Sequence, residues 1–93
     1  MIRGFADRAT ERLFRNGECS ARWRSFEAAA LRKLDMLDAA ARLDDLRSPP
    51  GNRLEVPKGD RTGQHSIRIN RQWRVCFRWT AEGSEDVTIV DYH

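Results

Sequence analysis

The chain has 93 residues, of which 40% are hydrophobic and 33% are charged. A chain of this length has room for one modest core, so we expect a single soluble domain over residues 1–93. This excludes a two-domain enzyme with a separate cofactor module, and no cofactor is expected. No run of about 18 apolar residues is present to span a membrane, and the first 14 residues lack the apolar stretch of a signal peptide. The expected location is therefore the cytoplasm.

The charge is distributed unevenly although the formal net charge is only +3. Residues 53–78 contain seven basic and two acidic side chains, whereas residues 82–91 contain four acidic side chains and no basic one. A locally basic strip is typical of a surface that follows phosphates, although a solvated sheet face would have the same composition. The two cysteines, Cys19 and Cys76, have neither the spacing of a zinc site nor that of a disulfide framework.

The first half of the chain has helical periodicity. Residues 1–5 are compatible with a short strand, and Asp7 is a suitable N-cap for a short helix through Arg15 that ends at Asn16-Gly17. Ser20 is a suitable cap for a second, longer helix. Apolar residues then recur at steps of three and four, which predicts one buried stripe: Trp23, Phe26, Ala30, Leu34, Leu37 and Ala41.

The second half has strand periodicity, after a break at Ser48–Gly51. Alternation of period two predicts strands over residues 65–70, 73–80 and 85–92, joined by short turns and therefore antiparallel. The predicted fold class is α+β: an N-terminal strand and two helices packed on one face of an antiparallel sheet of about four strands.

Alternation also divides the predicted sheet into two faces. The apolar face contains Ile67, Ile69, Val75, Phe77, Val87 and Ile89, which can meet the helical stripe. The opposite face contains Arg68, Arg74, Arg78, Thr88 and Tyr92. An uncovered face rich in arginine, with one tyrosine, suits a nucleic-acid backbone and a stacked base, and it suits an acidic protein partner equally well.

The chain closely resembles the HigB toxins, which belong to the RelE/ParE superfamily of type II toxin–antitoxin systems. The similarity spans nearly the whole chain, including its strand–helix–helix beginning. The resemblance is carried by Arg47–Asn52, Leu54–Arg61, Gly63–Asn70, Gln72–Phe77 and Val90–His93. It implies a growth-inhibiting, metal-independent endoribonuclease (an mRNA interferase) that cleaves messenger RNA on the ribosome. It also implies neutralisation by a HigA-type helix-turn-helix antitoxin, with operator DNA contacted only through the complex.

The resemblance also implies a set of site residues. Lys58 and Arg74 match positions that contact the scissile phosphate, and Asp91, Tyr92 and His93 match a functional C-terminal group. Of these three, His93 is the residue suited to proton transfer, because an unperturbed imidazole, with a pKa of about 6.5, exchanges protons near neutrality. Tyr92 would stack on a base or orient the phosphate, and Asp91 would orient His93 or accept the 2′ proton.

Glu55 has two possible roles, a catalytic base or an ion-pair partner of Lys58. We expect no metal ligands. We expect four further arginines to contact RNA: Arg61, Arg68, Arg71 and Arg78. Alternation places Tyr92 with Arg74 on one face of the sheet, and Asp91 and His93 on the other. Asp91 could instead simply pair with an arginine across the sheet, and His93 could be a frayed end.

Two other functions remain open at this point. A non-nuclease toxin of the same fold, acting on DNA gyrase as the ParE branch does, would not need Lys58 or His93. An inactive module would only bind an antitoxin. Alanine substitutions at the expected site residues distinguish these alternatives from a nuclease.

Overall fold

The computed structural model describes residues 1–56 and 63–91. Within them are two α-helices, three short 3-10 helices and three strands: α1 (Arg8–Asn16), a 3-10 helix (Ala21–Phe26), α2 (Glu27–Ala39), two 3-10 helices (Leu43–Arg47 and Pro50–Asn52), β1 (Gln64–Arg68), β2 (Trp73–Thr80) and β3 (Gly83–Asp91). The predicted site residues Lys58, Arg61, Tyr92 and His93 lie outside the described residues.

The strands form an antiparallel sheet in the order β1-β2-β3, which confirms the α+β class. The expected number of about four strands is corrected to three in the described part of the chain. The N-terminal segment predicted as the first strand makes two isolated bridges to β3, Ile2 with Ser84 and Phe5 with Val87, and both are parallel. Because the chain turns into α1 directly after this segment, it is too short to extend the ladder.

β3 begins at Gly83, inside a stretch that we expected to be a loop. Gly83 has a φ of 138°, and a Cβ atom there would lie 2.1 Å from the carbonyl oxygen of Met1. The Ser84 N–H donates to that same oxygen at 3.0 Å. Only glycine allows this approach, because any side chain would collide with the N-terminal backbone. The N-terminal segment is therefore held against the start of β3.

The predicted first helix is confirmed, including both of its ends. Asp7 Oδ2 accepts from the Thr10 N–H at 3.0 Å, and Gly17 ends the helix with a φ of 72°. The second helix is corrected: the segment after Ser20 is a 3-10 helix, and α2 starts only at Glu27. The step of three from Trp23 to Phe26 fits either type of helix, so periodicity could not distinguish them.

The core lies between α2 and the predicted apolar face of the sheet. All six predicted strand residues are buried in it, together with four of the six residues of the predicted helical stripe: Ile67, Ile69, Val75, Phe77, Val87 and Ile89 with Trp23, Ala30, Leu34 and Leu37. Phe26 is partly buried against this core and its ring lies 5.3 Å from that of Trp73. Ala41 is exposed, contrary to the prediction, because α2 ends at Ala39.

Two further features of the described residues are the state of the cysteines and the length of the helices. Cys19 and Cys76 are partly buried and are not joined in a disulfide. Among the described residues, the longest α-helix has 13 residues, and none is long and apolar enough to cross a membrane.

Asp7 joins α1 to the sheet, so its replacement should destabilise the fold. Besides capping the helix, its Oδ1 accepts from the hydroxyls of Thr10 and Thr88, each at 2.7 Å. We expect Asp7→Ala to lower the free energy of unfolding by about 1–2 kcal/mol in urea titrations. Asp44→Ala, which breaks only an exposed ion pair with Arg47, should change it by less than about 0.5 kcal/mol. Equal effects of the two variants would contradict this role of Asp7.

Asp45 should make stability depend on pH. Hydrogen bonds from the backbone N–H groups of Arg42 and Ala41 hold the pKa of Asp45 below its usual value. The stabilisation is therefore complete above the unfolded pKa of about 3.9 and is lost as the pH falls through the lower folded pKa. In urea titrations between pH 6 and pH 3, Asp45→Asn should lose less stability than the wild type. Equal losses of stability in the two proteins would contradict this role of Asp45.

Candidate functional site

Arg74 lies on the sheet face opposite the core, but it is buried there. It is 6% exposed, whereas the prediction placed it on an open surface. Its Nε donates to Ser66 Oγ at 2.8 Å, and its Nη2 donates to the carbonyl oxygens of Arg53 at 2.5 Å and Ser66 at 3.3 Å. A guanidinium keeps its charge at any physiological pH, so its burial requires acceptors of this kind. The orientation of the side chain is thereby fixed.

Glu55 supplies the acidic partner of Arg74. Its Oε1 lies 3.5 Å from Arg74 Nη1, and its side chain is 51% exposed. The backbone of Glu55 forms an antiparallel bridge with Ser66, through N–H to carbonyl distances of 2.9 and 3.2 Å. The segment around Glu55 therefore extends the sheet at the outer edge of β1 and covers Arg74. The expected ion pair of Glu55 with Lys58 lies outside the described residues and stays a prediction.

Three of the four predicted RNA-binding arginines are among the described residues. Arg68 is directly opposite Arg74 in the β1–β2 ladder, and its Nε donates to the Asn70 carbonyl at 3.0 Å. Arg78 follows on the same face of β2, is exposed, and lies 3.5 Å from Asp86. Arg71 is exposed in the turn between β1 and β2. Three arginines thus share the face away from the helices, and only Arg74 among them is buried.

Asp91 lies on the other side of the sheet from Arg74. The register pairs Asp91 with Trp73, and Arg74 with Val90, so the two side chains alternate to opposite faces. Asp91 Oδ2 accepts from Gln72 Nε2 at 3.0 Å. The described geometry therefore brings together Glu55, Arg68 and Arg74 but does not bring Asp91 to them.

Residue patterns identified some of this arrangement and missed the rest. Ser66 and the carbonyl of Arg53 both hold the guanidinium, and neither was a candidate. Alternation does place Ser66 on the same face as Arg74, and this was the available sequence signal. A backbone carbonyl outside a regular strand, such as that of Arg53, has no sequence signal. His65 stacks on Phe77 with ring centroids 5.8 Å apart. Thr88, expected on the arginine face, donates to Asp7.

The described residues hold no group of three or more His, Cys, Asp or Glu side chains that could bind a metal ion. The arrangement instead places guanidinium groups on one sheet face, where an anion can bind them, with a half-exposed carboxylate beside them. A phosphodiester is an anion that guanidinium groups bind through paired N–H donors.

Comparison with known proteins identifies the family. A family model described as "RelE-like toxin of type II toxin-antitoxin system HigB" matches residues 3–93. The chain belongs to the HigB-like toxin family. It is 48% identical over 69 residues to Toxin HigB-1 of Vibrio cholerae, covering 74% of this chain and 72% of that protein. An uncharacterized protein of Haemophilus influenzae is 44% identical over 48 residues, covering 52% of this chain and 48% of that protein.

The family assignment confirms the resemblance inferred from the sequence, and with it the role of a type II toxin. Such a toxin has an antitoxin as its partner.

The hydrogen bond between Arg74 and Ser66 should contribute measurably to stability. We expect Arg74→Lys to lower the free energy of unfolding by about 1–3 kcal/mol, because an ammonium cannot reach all the acceptors of the planar group. In a double-mutant cycle with Ser66→Ala, the coupling energy should be about 1 kcal/mol. Arg47→Lys, at an exposed ion pair, is the control and should have little effect. A coupling energy near zero would contradict the contact.

Proposed function

We propose that this HigB-like toxin is a metal-independent endoribonuclease that cleaves messenger RNA during translation on the ribosome. The observation that supports this most directly is the buried Arg74, held beside the half-exposed Glu55 on the arginine-bearing sheet face. The membership in a toxin family is consistent with growth inhibition by this route.

Cleavage of RNA without a metal has three chemical requirements. The 2′-hydroxyl must lose a proton, the negative charge on the pentacoordinate phosphorus must be neutralised, and the leaving 5′-oxygen must be protonated. In our proposal Arg74 and Lys58 stabilise the phosphorane charge. A fixed cation is effective here because it needs no reorganisation as charge develops.

Glu55 is our choice for the group that accepts the 2′ proton. Its side chain is half exposed and its backbone is held by Ser66, so a substrate hydroxyl can approach a carboxylate that the sheet edge positions. His93 would then protonate the leaving oxygen, since an unperturbed imidazole exchanges protons near neutral pH. Tyr92 would stack on a neighbouring base.

Asp91 has a different role in this proposal, because it is on the face away from Arg74. Its hydrogen bond with Gln72 ties the end of β3 to the turn before β2. It therefore orients the terminal residues that follow it and does not contact the phosphate that Arg74 binds.

The remaining arginines would bind the RNA backbone. Arg68 and Arg78 flank Arg74 on the same face, and Arg71 extends the positive charge into the adjacent turn. We propose that these three and Arg61 bind phosphates on either side of the scissile bond, which makes RNA binding weaken as salt concentration rises.

We further propose that the antitoxin is a HigA-type helix-turn-helix protein and that operator DNA is bound only by the complex. The proposed site of action is the cytoplasm, where translating ribosomes and messenger RNA are found.

The decisive experiment is primer extension across a reporter transcript in a reconstituted translation reaction. Wild-type protein should produce cuts that require ribosomes. We expect Glu55→Gln to reduce the cleavage rate by about 10²–10⁴-fold, as loss of a general base does, and Arg74→Lys by about 10–100-fold. Deletion of residues 91–93 should abolish the cuts.

Matched controls are available at the exposed Asp44–Arg47 pair, 3.0 Å apart. Asp44→Asn and Arg47→Lys make the same chemical changes as the site variants, and both should retain wild-type cleavage. Cuts that persist in the site variants would refute the assigned roles. Growth arrest without any cuts would favour a target such as gyrase, and no arrest would favour an inactive antitoxin-binding module.

A further inference from the structure

The candidate site depends on a residue that lies outside it. Asn52 is fully buried, at 0% exposure, in the 3-10 helix that precedes the Glu55 segment. Its Nδ2 donates to the carbonyl oxygens of Leu46 at 3.2 Å and Ser48 at 3.3 Å, and it lies 3.2 Å from the sulfur of Met36. Its Oδ1 accepts a hydrogen bond from Lys33 Nζ. One side chain thus joins α2 to the loop that follows it.

These contacts require an amide. Two backbone carbonyls face the nitrogen of Asn52, so that atom must donate, and the Lys33 ammonium faces the oxygen, so that atom must accept. A carboxylate would place an acceptor against two carbonyl oxygens, and an aliphatic side chain would leave all of these groups unsatisfied. The position therefore selects asparagine by its hydrogen-bonding pattern.

The next residue connects this anchor to the site. Arg53 has a φ of 44°, in the left-handed region that residues with a Cβ seldom adopt. Its N–H donates to the Pro50 carbonyl at 3.1 Å, and its own carbonyl accepts from Arg74 Nη2 at 2.5 Å. Two residues further on, Glu55 bridges to Ser66 and pairs with Arg74. Because one peptide separates Asn52 from the Arg53 carbonyl, fixing the amide fixes the acceptor.

We propose that Asn52, held by Lys33, is a positioning residue for the active site: its buried amide places the Arg53 carbonyl and the Glu55 strand so that the Arg74 guanidinium has one orientation. This inference rests on the proposed nuclease function for its kinetic consequence. Its structural consequence, the immobilisation of Arg74, does not depend on that function.

Lys33 is a partly buried ammonium on the acceptor side of this amide. Burial lowers the pKa of Lys33, and the neighbouring Arg32 charge acts in the same direction. An ammonium in this environment requires a polar partner, and Asn52 Oδ1 supplies one. The two side chains therefore stabilise each other, and replacement of Lys33 should weaken the anchor while leaving the Nδ2 hydrogen bonds in place.

The test compares Asn52→Ala with Thr10→Val. Thr10 is also 0% exposed and also joins a helix to the chain around it, but its partners are Asp7, the N-cap of α1, and the Ile89 N–H in β3. Both variants remove a buried polar side chain, and only Asn52 connects to Arg53. Urea titrations establish conditions under which both variants remain folded, and all other measurements are made there.

The first readout is hydrogen exchange of the Arg74 Nε–H, followed by NMR in nitrogen-15-labelled protein. Asn52→Ala should accelerate this exchange at least about tenfold, because a guanidinium that loses the Arg53 carbonyl at Nη2 is no longer fixed and releases its Nε–H from Ser66 Oγ more often. Thr10→Val should leave it at the wild-type rate. Arg15 Nε, in an exposed ion pair with Glu11, provides an internal reference that should not change.

The second readout is cleavage kinetics in the reconstituted translation reaction. Asn52→Ala should lower kcat by about 10–100-fold with KM changed less than about threefold, because a misplaced group reduces the rate more than it weakens binding. Thr10→Val should retain wild-type kcat. Lys33→Met should change both readouts in the same direction and to a smaller extent, and it replaces Asn52→Ala if that variant does not fold.

The outcomes separate the two proposals. Unchanged Arg74 exchange in Asn52→Ala, or equal acceleration in Thr10→Val, overturns the positioning role. Accelerated exchange in a protein whose wild type does not cleave RNA supports the positioning role and refutes the nuclease. Accelerated exchange with unchanged kcat shows that the orientation of Arg74 is irrelevant to catalysis and overturns the kinetic part of the inference.

Discussion

The buried guanidinium of Arg74 is the constraint on which the arrangement of this sheet face depends. A charge that cannot be removed by titration must be surrounded by acceptors when it leaves water. Here the acceptors come from two parts of the chain: Ser66 within β1, and the Arg53 carbonyl and Glu55 carboxylate in the segment before it. The segment must therefore follow the outer edge of β1. The backbone bridge between Glu55 and Ser66 holds it there.

The two faces of the sheet therefore differ in composition and in what they contribute. The helix side contains the apolar core and provides the stability of a small domain. The other side contains Arg68 directly opposite Arg74 in the ladder, an arrangement of like charges that is destabilising in itself. Glu55 offsets part of this repulsion, and a bound phosphate would offset more. A bound anion would therefore stabilise a sheet in which two arginines lie opposite each other.

Much of the fold was predictable because its signals are local. Alternation of apolar residues identified the buried strand face, and the Asp7 cap and the Gly17 stop follow from short-range hydrogen bonding and backbone conformation. The 3-10 geometry of Ala21–Phe26 was not predictable, since a step of three suits both helix types. The isolated parallel bridges of the N-terminal segment depend on a partner strand more than 80 residues away.

The candidate site was less predictable, for a related reason. Alternation places Arg74 on the face away from the core and implies exposure there, because it gives no information on what covers that face. The cover is formed by Arg53 and Glu55, which follow a turn containing two prolines and a glycine, a sequence that indicates only the end of a helix. Asn52 within that turn has the composition of an ordinary loop residue. Its tertiary hydrogen bond with Lys33 on α2 is a contact that no local pattern encodes.

The unequal exposure of the two partners determines how an RNA phosphate could enter this site. Arg74 is held by Ser66 and Arg53 whether or not Glu55 is paired with it, whereas the Glu55 side chain is half exposed and has room to turn away. On the proposed mechanism, an RNA phosphate would displace the carboxylate and leave the guanidinium in place. The displaced carboxylate would still be tethered by its backbone bridge to Ser66, close to that phosphate. A base that accepts the proton of the adjacent 2′-hydroxyl would have to act from this position, so the ion pair of the free protein is compatible with the proposed role of Glu55.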